Sequence, residues 1–120
     1  MTDSKVTTNT TRALGISSSE GYRKAYRDEI EAGSYKALLQ AKAWGRAACL
    51  HCYFDIPEIG KKVRLTCWRN HGSYDRKYMP VNSCIDFSEV GIEGGWYYIE
   101  VAIGKTGKMK FMAASTIDQN

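Results

Sequence analysis

"YKALLQAKAWGRAACLHCYF", residues 35–54, is the stretch on which the fold turns. It holds no proline and many alanines, and Leu39, Ala43, Ala47 and Leu50 recur along one stripe at helical spacing, with Tyr35, Leu38 and Phe54 near its edges. Gly33 supplies a C-terminal cap for whatever precedes it and Ser34 a new N-cap, so the pattern predicts a helix starting at Tyr35. So small an apolar stripe suits close packing against something flat, most simply a sheet.

N-terminal to it, "SSSEGYRKAYRDEIEAG" predicts a first helix from about Ser18. Ser17 and Glu20 have the spacing of a capping box, in which the Ser side chain accepts from the Glu amide and the Glu side chain reaches back. Tyr22, Tyr26 and Ile30 then recur every four residues beside Ala25, opposite Arg23, Lys24, Arg27, Asp28 and Glu31, the pattern of an amphipathic surface helix of about three turns. Residues 1–15 are polar, rich in Thr and without period. They read as a flexible N-terminal arm before a single domain over 16–120.

C-terminal to "DIPEIGKK" the period falls to two. In "KKVRLTCWR" Val63, Leu65 and Cys67 alternate with Arg64, Thr66 and Trp68, as in a half-buried strand. "YMPVNSCIDF" reads as a second strand with Pro80 near its start, and Val81, Ile85 and Phe87 on one side. "WYYIEVAI" and "KMKFMAAS" read as a hairpin joined through "GKTG", with Gly107 supplying a positive φ. The Gly-Lys-Thr order is no phosphate loop. Its glycines are too close together, and Met109 stands where Ser or Thr should follow Gly-Lys. The expected fold is therefore α+β: two N-terminal helices packed on one face of a four-stranded, mainly antiparallel sheet with a C-terminal β-hairpin.

Composition narrows the function classes. With 120 residues, 43% of them hydrophobic, the chain suits one domain with one core. No apolar run is long enough to span a bilayer, and "MTDSKVTTNTTRALG" lacks the apolar region of a signal peptide, so a cytoplasmic protein with no membrane partner is expected. Thiols stay reduced there, and the four cysteines are not read as disulfides. The net charge of +4 permits an anionic partner without demanding one.

Cys49 and Cys52 have the spacing of a zinc knuckle, and Cys67 and His71 would complete a four-ligand set. On a continuous helix, however, the two would sit on adjacent ridges rather than in a turn, and Cys67 has core parity. Buried structural thiols are the plainer reading, with no metal and no cofactor, and the zinc set stays as an alternative. A redox pair would need the helix's N-terminal end, where the dipole lowers a thiol's pKa. With no nucleophile paired to a base, and Ala102 where a metal nuclease would place lysine after Glu100, no enzyme is expected.

What remains is the sheet face opposite the helices. Parity assigns to it Arg64, Thr66, Trp68, Trp96, Tyr98, Glu100, Lys108, Lys110 and Met112. Flat aromatics among cations stack bases and pair phosphates. The expectation is a small binding protein, an accessory or inhibitor, that docks this face on nucleic acid or a nucleoprotein complex through Arg64, Trp68, Trp96, Tyr98, Lys108 and Lys110. The same residues would serve a protein–protein contact or a homodimer, where Trp, Tyr and Arg also dominate. The first helix or the arm could instead fold over the face.

Overall fold

The structure, a computed structural model, describes residues 20–69 and 77–117. The arm at 1–15, Ser17 of the capping box and His71 of the zinc set lie outside them.

Residues 35–54 form two antiparallel strands, β1 (Gly33–Trp44) and β2 (Cys49–Ile56), joined by the turn 45–48. The physical reason for the departure from a helix is a β-bulge. Leu39 pairs with Phe54 and Ala41 with Tyr53, which leaves Gln40 as an extra residue on the outer side, where its Nε2 donates to Asp55 Oδ2 at 2.8 Å. Ala37 and Leu39 point inward before the bulge and Lys42 after it. An inward spacing of two, then three, imitates a helical stripe. In β2 the alternation is unbroken, with Leu50, Cys52, Phe54 and Ile56 all buried.

The other strands are β3 (Lys61–Arg69), β4 (Tyr78–Met79), β5 (Trp96–Ile103) and β6 (Met109–Thr116), in the sheet order β4-β3-β2-β1-β5-β6 with antiparallel neighbours throughout. The fold is thus a mainly-β, six-stranded antiparallel sheet rather than α+β with two helices on four strands. One short helix, α1 (Glu20–Ala25), and one 3-10 turn (Pro57–Ile59) accompany it among the described residues. The strand expected over 78–87 shrinks to the two residues of β4 before turns take over. The expected hairpin of β5 and β6 forms, and its turn has the Gly104 amide donating to the Lys108 carbonyl and Gly107 at φ 83°.

The sheet curls until its edges are bridged, and this replaces the helical cover. Beyond β4 the chain turns onto β6, where the Val81 and Asn82 amides donate to the Phe111 and Met112 carbonyls and Ser83 Oγ donates to the Ala114 carbonyl. The inner faces then bury one another. Val63, Leu65, Cys67, Ile99 and Val101 surround an aromatic group of Phe54, Phe87, Tyr97 and Phe111, with ring centroids 5.1 to 6.4 Å apart. Each buried ring removes enough apolar area from water to contribute ~2–3 kcal/mol. Val81, expected on one side with Ile85 and Phe87, stands outside at 65% exposure because it sits in the turn, while Phe87 is buried.

The core also holds a lysine. Lys42 is 0% exposed, and its ammonium donates to the Phe87 and Val90 carbonyls, so the bulged strand pins the turn 86–90 that seals this part of the interior. Burial lowers its pKa from the ordinary lysine value, against the opposing pull of Cys52, Asp86 and Glu89.

α1 packs on the outer face of β1 and β2, not on the apolar face assigned to it from the sequence. Tyr26 lies against Tyr53, Ala41 and Ala43, with Tyr22 completing an aromatic trio at centroid distances of 5.5 to 5.9 Å. The chain then joins the edge of β3, where Asp28 and Lys62 exchange hydrogen bonds: the Asp28 amide donates to the Lys62 carbonyl and the Lys62 amide to Asp28 Oδ2. No helix among the described residues is long and apolar enough to cross a membrane.

Candidate functional site

β3 keeps the parity expected of it, so Val63, Leu65 and Cys67 are buried while Arg64 and Trp68 face outward, Trp68 at 58% exposure. α1 covers only the neighbouring part of this outer face. Where it stops, two adjoining clefts begin. The larger, about 1260 Å³, runs from Glu29, His51, Arg64, Thr66 and Trp68 across residues 79–83 to the β5–β6 turn, which brings Lys105, Lys108 and Lys110. The smaller, about 480 Å³, lies among Arg23, Trp44, Arg46, His51, Arg64 and Trp68. Bridging by residues 78–83 sets the β6 end beside β3, which is how residues some 45 positions apart in sequence come to share one surface.

The charge on this surface is one-sided. Among the described lining residues six are Lys or Arg and one, Glu29, is acidic, an excess of five on a chain whose total net charge is +4. Trp44, 44% exposed with one edge against Tyr78 at 5.0 Å, and Trp68 give it two flat apolar plates. His51 lies between the clefts, its Nδ1 2.9 Å from Thr66 Oγ1. Burial, then Arg64 and Arg23, lower its pKa from the ordinary histidine value, so the ring is neutral at pH 7.

Four of the six residues assigned from the sequence therefore meet at one site: Arg64, Trp68, Lys108 and Lys110. Trp96 and Tyr98 do not join them. Lys110 pairs with Ala102 on β5, six residues from Trp96 and so about 20 Å along the strand. There Tyr98 is 54% exposed and the Lys36 ammonium sits 5.3 Å from the centre of the Trp96 ring, on an outer face distinct from both clefts. Glu100, assigned to the same face from the sequence, lies opposite Ala113. Arg23, Trp44, Arg46, His51 and Lys105 belong to the site and were not singled out. The one signal for Arg46 was the Gly45 before it, which marks a turn once residues 35–54 are strands.

The zinc set is divided by the same alternation. Cys52 and Cys67 point into the core and share a hydrogen bond, and that contact, followed by burial, raises the Cys67 thiol pKa. Cys49 is on the opposite side of β2, beside Gly45 and His51. No three His, Cys, Asp or Glu side chains gather to hold a metal among the described residues. Comparison with protein-family models, with curated proteins and with solved structures returns no match.

Proposed function

We propose that the protein is a non-enzymatic binding protein that docks the cleft face around Trp68 on nucleic acid, alone or within a nucleoprotein complex, and acts as an accessory or inhibitor by occupying it. The observation that carries this reading is the excess of cations around two exposed indoles. A polyanion satisfies the cations through its phosphates, and unpaired bases offer flat faces to the indoles, which favours a single strand. Arg64, Lys105, Lys108 and Lys110 would follow the backbone. A cytoplasmic setting suits the four free thiols, three of them buried.

Titration of Trp fluorescence with single-stranded and duplex oligonucleotides tests the proposal. Affinity for the single strand should fall steeply between about 50 and 200 mM salt, with a log–log slope of about −2 to −3 if three to four phosphates are neutralised. Absence of binding at the lower salt refutes it. A second reading, a protein partner or second copy of the chain, is favoured by the separate Lys36–Trp96–Tyr98 face. It predicts self-association or a complex with weak salt dependence that Tyr98→Arg abolishes, measured by sedimentation.

A further inference from the structure

We propose that the smaller cleft is a phosphate pocket, in which one phosphate of a nucleotide sits among Arg23, Arg46 and Arg64 beside His51 with its base against Trp68. The inference rests on the nucleic-acid reading for the source of the nucleotide, and on the pocket's own chemistry for the phosphate.

Three elements send one arginine each to this cleft: α1 supplies Arg23, the β1–β2 turn Arg46 and β3 Arg64. No carboxylate lines it among the described residues, and the three guanidinium groups bring charge of one sign to it. Guanidinium is the side chain best matched to phosphate, offering paired N–H donors in a fixed plane. Trp44 and Trp68 flank the charges with the apolar surface a base needs.

The position of His51 is set from both sides. Thr66 holds Nδ1, and Nε2 faces Gly45, where a Cβ would lie 2.8 Å from it and 2.3 Å from Cys49 Sγ. Glycine therefore lets the turn carrying Arg46 close onto the imidazole. The charged and titratable groups around the ring are Arg23, Arg46 and Arg64, with Cys49 on its own strand, Glu29 across the larger cleft and the lysines of the β5–β6 turn beyond. Ala43 faces it from β1 without charge. Burial and then the repulsion of Arg64 and Arg23 disfavour the charged ring; a phosphate seated among the arginines would offset the second of these, so ligand and proton would bind together.

The test follows the His51 ring protons by NMR against pH, in a buffer free of phosphate, with inorganic phosphate as probe, beside the oligonucleotide titration on the same protein. Phosphate should raise the His51 midpoint by about one unit. Arg46→Ala should weaken phosphate binding about tenfold, Arg46→Lys should restore part of it, and Tyr98→Ala should leave it unchanged. If phosphate leaves His51 unmoved while oligonucleotides bind with steep salt dependence, the pocket is refuted and the nucleic-acid reading stands. If phosphate moves His51 and no oligonucleotide binds, the pocket stands and the nucleic-acid reading falls. If neither occurs, both fall.

Discussion

His51 is held where a proton is unfavourable, half removed from water and facing two guanidinium groups. Its folded pKa lies below the unfolded value, so below pH 6.5 the unfolded chain takes up a proton that the folded chain refuses. The contribution to stability is complete above that pH and declines as pH falls toward the folded pKa. Urea midpoints should therefore drop between pH 7 and 5, and His51→Gln should flatten the drop; an unchanged slope in the variant would contradict the assignment. Gly45 raises a different constraint, since an added Cβ there collides with the Cys49 sulfur and the His51 ring at once. Gly45→Ala should destabilise the fold by about 1–3 kcal/mol in denaturant titrations, the usual effect of overpacking.

At the scale of elements, β1 controls the most. Its bulge at Gln40 redirects Lys42 into the core, where the ammonium holds the turn 86–90 by two carbonyls. Lys42→Met fills the same space but leaves those carbonyls without their donor, so a loss of about 1–3 kcal/mol is expected, with faster amide exchange confined to the turn. Uniform acceleration across the sheet would instead mean that Lys42 matters only to global stability. The same bulge explains why β1 was hidden in the sequence while β3 was not. Val63, Leu65 and Cys67 keep an unbroken period of two, and so do the buried residues of β5, whereas Leu39, Gln40 and Lys42 cross a register shift. Once β1 is taken for a helix, the alternation of Leu50, Cys52, Phe54 and Ile56 is absorbed into its tail, because the alanines before it favour a helix in isolation. Parity identified Arg64 and Trp68 as outward-facing, and Lys108 and Lys110 as well. It says nothing about how far a curled sheet separates Trp96 from Trp68, or about which stretch of outer face a short helix covers.

For the whole molecule, curling substitutes for a second layer. A flat six-stranded sheet would need helices over its apolar face, but bridging the edges through residues 78–83 lets that face bury itself and leaves α1 available to wall one side of the basic clefts. The cations this gathers come from α1, the β1–β2 turn, β3 and the β5–β6 turn, so the site exists only in the closed fold. The central claim is that a nucleic acid engages this surface rather than the outer sheet face in general. The most direct test compares Trp68→Ala with Trp96→Ala in single-stranded oligonucleotide binding at about 50 mM salt, after circular dichroism shows both variants folded. The account predicts a loss of about 1–3 kcal/mol in affinity for Trp68→Ala and little change for Trp96→Ala. Equal losses, or a loss confined to Trp96→Ala, would contradict it.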